Sequence, residues 1–185
     1  CGRHLGGLGL SAVYFWCMAE GLPIDMNAAR DQRLVDLLAP LRALFEGEAS
    51  GVANLANASS AIGTVTSWHW VGFYLVDKSE DNLVLGPFQG PVACTRLHRG
   101  KGVCAKAWED GRTVVVKDVH QFPGHVACSL ASNSEVVIPV INASGQVVAV
   151  LDIDSDQFDD FSKAEVEALE ALMEVVSSEW NRWTW

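Results

Sequence analysis

The sequence predicts an α+β fold in which a central antiparallel sheet of about five to six strands is covered by N-terminal and C-terminal helices. Apolar residues recur with a helical period in residues 27–62, with a strand period through much of residues 70–153, and with a helical period again after residue 162. This order of helices, then strands, then one closing helix is typical of an antiparallel sheet with helices on at least one face.

The first helical segment follows residue 26. Six apolar residues fall on one helical face: Leu34, Leu37, Leu38, Leu41, Leu44 and Phe45. Asn27 is predicted to be the N-cap, and Gly47 is predicted to stop the helix. Pro40 predicts a kink or a division into two shorter helices. A second helix is predicted near residues 50–62, with inward-facing residues Val52, Leu55, Ala56, Ser59 and Ile62.

The middle of the chain predicts two hairpins, a short helix and one further strand. The first hairpin joins residues 70–76 to 83–85, and the second joins 135–141 to 146–153 through a turn at 142–145. A short helix is predicted at 102–109 and a strand at 113–116. The closing helix starts at Ser162, because Ser162 and Glu165 form a capping-box pattern. Its predicted buried stripe is Val166, Leu169, Leu172, Val176 and Trp180.

Length and charge restrict the class of protein. The chain has 185 residues, and we expect one domain over residues 27–185 after an N-terminal extension over residues 1–26. The apolar run in the extension is shorter than the roughly 20 residues that a membrane helix needs, so no membrane association is expected. The formal net charge of -10 argues against a nucleic-acid partner, because no basic stripe is present to neutralise phosphates.

Three of the five cysteines, Cys94, Cys104 and Cys128, lie in the loop-rich stretch 86–154. An odd number excludes complete pairing, and a chain of this size does not need a disulfide framework. The cysteine spacings match no zinc module, although His120 and His125 flank the third thiol. We therefore expect no metal, a reducing cytoplasmic environment, and thiols that are either buried apolar residues or redox-active groups.

Six strings in order carry a resemblance to a known family: WVGFYL, LGPFQGPVACTR, GKGVC, DVHQFPGHVAC, SNSEVVIPV and VLDIDS. Over residues 46–155 the chain resembles the free methionine-(R)-sulfoxide reductases, which are built on the GAF fold. The resemblance implies reduction of free methionine-R-sulfoxide to methionine without a cofactor. It further implies a cysteine sulfenic acid, an intramolecular disulfide, and thioredoxin as the reductant that recycles it.

The resemblance also implies roles for the three thiols. Cys128 matches the cysteine of the family string GHVAC and is expected to be the nucleophile. Cys94 is then the resolving thiol, on a loop rich in proline and glycine. Cys104 matches the third family cysteine and is left open as either the nucleophile or an alternative resolving thiol.

Glu135, Asp152 and Asp154 match the acidic binding residues of the family, and Trp70 and Tyr74 match its aromatic wall. Asp152 and Asp154 alternate along a predicted strand, so both side chains face the same side of the sheet. Carboxylates this close together repel each other. This repulsion should raise the pKa of one carboxyl group and keep a proton available for the sulfoxide oxygen. The sequence does not indicate which acid holds the substrate ammonium group.

Two other functions remain open at this point. A GAF fold also suits a sensor domain that binds a small molecule without catalysis, with the thiols incidental. A dimerisation module would use Trp180, Trp183 and Trp185 near the C-terminus, and the sequence leaves a homodimer open.

Overall fold

The computed structural model describes residues 21–124 and 131–185. The helices in this part of the chain are α1 (Arg30–Asp36), α2 (Leu38–Phe45), α3 (Gly51–Thr66), α4 (Gly102–Asp110) and α5 (Lys163–Glu179). The strands are β1 (Trp70–Asp77), β2 (Asn82–Gln89), β3 (Arg96–His98), β4 (Val114–Val116), β5 (Ser134–Ile141) and β6 (Val147–Ser155). They form a six-stranded sheet in the order β3-β2-β1-β6-β5-β4, and the neighbouring strands pair antiparallel. The predicted fold class is confirmed.

Pro40 divides the first helical segment as predicted. Helix α1 ends at Asp36 and α2 begins at Leu38, so Pro40 lies in the first turn of α2, where its missing amide hydrogen costs nothing. Gly47 follows the end of α2 with a φ of 80°, which favours glycine. The prediction of Asn27 as N-cap is wrong. The N-cap is Ala29, without a side-chain cap, and the Asn27 side chain instead bonds to Asp25.

Helix α3 is one turn longer than predicted and faces the core differently. Ser50 caps it by accepting a hydrogen bond from the amide of Ala53. The prediction that Val52 faces inward is wrong, because Val52 is 56% exposed. Asn54 is fully buried instead and donates to the Glu48 carbonyl oxygen. The spacing of apolar residues along the sequence does not reveal a polar residue that is buried because it hydrogen-bonds to the backbone.

The sheet follows the predicted hairpins, with two differences. Strand β2 runs on to Gln89, so the segment from Gly86 to Pro87 belongs to the sheet and not to a loop. The short strand β3 was not predicted. It lies at the edge of the sheet beside β2, and its three residues carry too little alternation to be distinguished from a loop.

The two faces of the sheet carry separate cores. Helices α1, α2, α3 and α5 cover one face, where Phe73, Ile138 and Leu151 are buried. On the other face, α4 packs on Tyr74, Val137 and Val150. Because the side chains of a strand alternate, neighbouring residues of β1, β5 and β6 serve different cores. The predicted aromatic and acidic site residues lie on the second face.

The ends of the described chain pack on the helical core. Leu22 and Ile24 of the predicted extension contact this core, and residues 1–20 lie outside the described residues. Trp180 and Trp183 are 9% and 6% exposed, so these two tryptophans are largely internal, whereas Trp185 is exposed. In the described residues, no helix is both long and apolar enough to span a membrane.

Candidate active site

Strands β1, β6 and β5 bring the predicted acids and the first aromatic residue to one end of the sheet. Asp154 is paired in register with Trp70 on one side and with Glu135 on the other. Asp152 is paired with Gly72. The spacing of two residues places these side chains on the face that also carries α4. The prediction that Asp152 and Asp154 share a face is confirmed.

The three acids are poorly solvated. Glu135 and Asp152 are only 6% and 7% exposed, and Asp154 is half-buried. Burial, and then the charges of Asp152 and Asp154, raise the pKa of Glu135 well above its usual range. Burial, and then the charge of Asp154, also raise the pKa of Asp152, although hydrogen bonds with Cys104 and Glu135 oppose this shift. Both carboxyl groups are therefore protonated more readily than exposed acids, and a hydrogen bond joins them.

Asp154 is the least enclosed of the three acids. Burial raises the pKa of its carboxyl group, whereas a hydrogen bond with Ser132 and the nearby His69 favour the charged form. Ser132 is itself buried. On balance the pKa of Asp154 is raised, as it is for Glu135 and Asp152.

Cys104 reaches the acids from α4. It is a free thiol, 4% exposed, one turn into the helix. Its sulfur and one carboxylate oxygen each of Glu135 and Asp152 all lie within 4.8 Å of one another. Burial, followed by the charges of Asp152 and Glu135, raises the pKa of the Cys104 thiol. A thiol with a raised pKa is a poor nucleophile at neutral pH, which weakens the alternative that Cys104 attacks the substrate.

Trp70 and Tyr74 lie beside the acids and connect them to the loop that carries Cys94. The two rings stack with centroids 6.0 Å apart, and Phe88 of β2 stacks on Trp70 at 5.3 Å. The Trp70 indole Nε1 donates to the carbonyl oxygen of Pro91 at 3.0 Å. The Tyr74 hydroxyl donates to the carbonyl oxygen of Cys94 at 3.0 Å. Both aromatic residues therefore hold the loop between β2 and β3 in addition to forming a wall.

The thiols differ in state. Cys94 is half-buried and disulfide-bonded, whereas Cys104 is free. Cys128, the predicted nucleophile, lies in the segment 125–130, which is outside the described residues. Its predicted role stays a prediction.

Backbone hydrogen bonds fix both ends of the segment 125–130. On one side, the Gly124 carbonyl oxygen accepts from the amide of Gly102, at the start of α4. On the other side, the Asn133 amide donates to the Ser155 carbonyl oxygen, and the Asn133 carbonyl oxygen accepts from Val119. The described residues on either side of the segment therefore lie next to α4, which carries Cys104, and next to β6, which carries two of the acids.

The chain is also similar to known proteins. The sequence profile of the GAF domain matches residues 55–178. The chain is 38% identical to the free methionine-R-sulfoxide reductase of Saccharomyces cerevisiae over 86% of this chain and 92% of the yeast protein. It is 42% identical to GAF domain-containing protein A of Dictyostelium discoideum over 87% of this chain and 100% of that protein. The chain belongs to the free methionine-R-sulfoxide reductase family of GAF-domain proteins.

A solved structure of the same family agrees with this assignment. The free methionine-R-sulfoxide reductase of Neisseria meningitidis, in complex with its substrate, superposes with a TM-score of 0.81 at 40% identity. The match covers 84% of this chain and 92% of the Neisseria chain. The fold and the family predicted from the sequence are both confirmed.

Three residues of this family member contribute to the site without having been singled out from the sequence. Ser132 bonds to Asp154, and Phe88 stacks on Trp70. Gly72 leaves room for the Trp70 ring, because a Cβ there would lie 2.4 Å from the ring atom Cη2 and from the Phe88 Cβ. All three residues stand inside the strings that carried the resemblance, so the signal was present but did not distinguish site residues from framework.

Proposed function

We propose that the protein reduces free L-methionine-(R)-S-oxide to L-methionine by thiol chemistry. One observation carries the proposal: two buried carboxyl groups, those of Glu135 and Asp152, lie together on the sheet face that carries Tyr74, and burial raises the pKa of both. A sulfoxide oxygen needs a proton as its bond to sulfur breaks. The family membership supports the same substrate class.

In the first step, the Cys128 thiolate attacks the sulfoxide sulfur. This attack forms a transient bond between the two sulfur atoms, and a proton from the Glu135 and Asp152 pair passes to the sulfoxide oxygen. The oxygen, as hydroxyl, then moves from the substrate sulfur to the Cys128 sulfur, while the bond between the two sulfur atoms breaks with its electron pair left on methionine, so that Cys128 becomes a sulfenic acid. The substrate sulfur gains two electrons and the Cys128 sulfur loses two. Asp154, the most exposed of the three acids, holds the substrate ammonium group, and Trp70 with Tyr74 packs against the methyl end.

In the second step, the Cys94 thiol attacks the sulfenic acid. Water leaves and a Cys94–Cys128 disulfide forms. The disulfide state of Cys94 in this structure supports this assignment. Thioredoxin, a cytoplasmic dithiol, then reduces the disulfide to two thiols and completes the cycle. The buried Cys104 is not consumed and serves only as a reserve thiol.

Methionine formation from each epimer tests the proposal. With thioredoxin as electron donor, we expect turnover of free methionine-R-sulfoxide and almost none of the S epimer or of an N-acetylated, C-amidated sulfoxide. An enclosed site with three acids recognises the free ammonium group, and capping removes it. Equal turnover of the capped substrate would contradict the enclosed site. Tight binding of the free sulfoxide without any methionine would favour the sensor function instead.

A further inference from the structure

We propose that Cys104, Glu135 and Asp152 form a cage for a borderline-soft divalent cation of the Zn²⁺ type. The cage is distinct from the pair of thiols proposed for the redox cycle. A cation bound in this cage takes no part in the redox cycle. It competes with the substrate for the two carboxylates.

The three donors come from three elements that converge. Cys104 lies on α4, Glu135 on β5 and Asp152 on β6, and their donor atoms lie within 4.8 Å of one another. Zinc bonds of about 2.3 Å to sulfur and about 2.0 Å to oxygen place tetrahedral donors roughly 3.5 Å apart. Closing the cage therefore requires the donors to move together by at most about 1.3 Å, which rotamer adjustment can supply.

A second observation points to a missing ligand. The Oδ1 atom of Asp152 is buried and has no hydrogen-bond partner, although the residue is only 7% exposed. A buried carboxylate oxygen without a partner is costly. A cation, or the ammonium group of a substrate, would satisfy it.

The donor set selects the class of cation. Two carboxylates alone suit Mg²⁺ or Ca²⁺, but a thiolate favours Zn²⁺ and related transition metals. The Cys104 thiol releases its proton to solvent as the sulfur–metal bond forms. The acidic character of the chain, with a formal net charge of -10, also favours cations. A fourth position remains for water, reached from the partly exposed side where Asp154 lies.

Cobalt binding tests the cage, because Co²⁺ occupies zinc sites and reports its ligands by absorption. We expect reduced protein to bind one Co²⁺ with a thiolate-to-cobalt charge-transfer band in the near ultraviolet, and Zn²⁺ to displace it. Cys104→Ser should remove the band, and Glu135→Gln should weaken Co²⁺ binding at least tenfold, as expected for a lost ligand. Cys94→Ser is the matched control and should keep the band.

The outcomes are distinct. A band of undiminished amplitude in Cys104→Ser, or no thiolate band in the wild-type protein, would overturn the cage. If Cys104→Ser does not fold, as judged by circular dichroism, undiminished affinity in Glu135→Gln would overturn it equally. The effect on activity rests on the proposed function: Zn²⁺ should inhibit in competition with the sulfoxide. Because cobalt spectra need no turnover, a failed reductase assay would leave the cage standing and remove only the proposed function.

Discussion

At the scale of single residues, Tyr74 has two functions that one substitution separates. Its ring stacks on Trp70, and its hydroxyl donates to the carbonyl oxygen of Cys94. Tyr74 is only 1% exposed, so the hydroxyl cannot turn to water if this bond is lost. In the proposed mechanism, the ring is part of the substrate wall, and the hydroxyl positions the loop that carries Cys94.

Tyr74→Phe keeps the ring and removes only this hydrogen bond. A buried hydrogen bond contributes about 1 kcal/mol, so we expect disulfide formation to slow roughly fivefold, while the yield of the first methionine is unchanged. Rapid quenching followed by mass spectrometry measures the lifetime of the sulfenic acid and the rate of disulfide formation. An unchanged disulfide rate would show that the hydroxyl does not position Cys94.

Gly72 is the second residue on which the site depends. It is paired with Asp152, and an added Cβ would lie 2.4 Å from both Trp70 Cη2 and Phe88 Cβ. Real Cβ atoms do not approach so closely, and both neighbours are held by ring stacking. A methyl group here must therefore displace the aromatic wall.

Gly72→Ala should lower the free energy of unfolding by about 1–3 kcal/mol and raise KM, because overpacking shifts Trp70. The matched control is Gly63→Ala in α3, where the nearest atom to an added Cβ is 3.7 Å away. This control should gain about 0.5–1 kcal/mol from helix propensity. Urea denaturation and steady-state kinetics measure both variants. Equal stability changes would show that the Trp70 ring moves freely.

At the scale of elements, Arg30 ties α1 to the segment between β6 and α5. Its guanidinium donates to Asp160 Oδ1 at 2.7 Å and to Glu165. Asp160 also accepts from Trp68 and Ser155. Although partial burial acts in the opposite direction, the Arg30 contact and the other hydrogen bonds hold the pKa values of both carboxyl groups below their usual range. The network therefore fixes the segment that follows the acids of β6.

Arg30→Gln should lower the free energy of unfolding at pH 7 by about 1–3 kcal/mol, because it removes charged hydrogen bonds from a half-buried network. A carboxyl whose pKa is lower in the folded state stabilises the fold above its unfolded pKa, here ordinarily 3.8 for Asp160 and 4.5 for Glu165. This contribution is lost as the pH falls through the folded-state pKa values.

The difference between Arg30→Gln and the wild type should therefore shrink as the pH is lowered from 7 to about 3. Urea denaturation at each pH measures it. Arg112→Gln is the matched control, because its ion pair with Asp110 is formed by an arginine that is 74% exposed, and exposed pairs contribute little. The Arg30 guanidinium also lies 4.8 Å from the centroid of the Trp68 ring. A difference for Arg30→Gln that did not change with pH would assign its effect to this packing alone.

At the scale of the whole molecule, the features that could be predicted from the sequence are those that depend on hydrophobic periodicity and local chemistry. The fold class, the division at Pro40, the capping box of Ser162 and Glu165, and the shared face of Asp152 and Asp154 followed from such patterns. The strand β3, the exposed Val52 and the buried Asn54 did not. Strand β3 has only three residues, and the hydrogen bond that satisfies the buried Asn54 side chain leaves no trace in a hydrophobic period.

The site shows the same limit. Nothing in the spacing of Cys104 indicates that α4 brings its sulfur to Glu135 and Asp152, since this contact depends on how the helix packs across the sheet. The hydrogen bonds from Trp70 and Tyr74 to the loop of Cys94 likewise need the fold of β2. The family resemblance supplied these residues as a set, without their geometry.

The central claim is that Cys128 attacks the sulfoxide and Cys94 resolves the sulfenic acid. The most direct measurement is the methionine released per chain from excess sulfoxide without a reductant, with the state of each cysteine read by mass spectrometry. Cys128→Ser should release none. Cys94→Ser should release about one and stop with a trapped sulfenic acid, and Cys104→Ser should form the disulfide and keep much of the thioredoxin-dependent cycle. Stoichiometric methionine from Cys128→Ser, with none from Cys104→Ser, would contradict the account and make Cys104 the nucleophile.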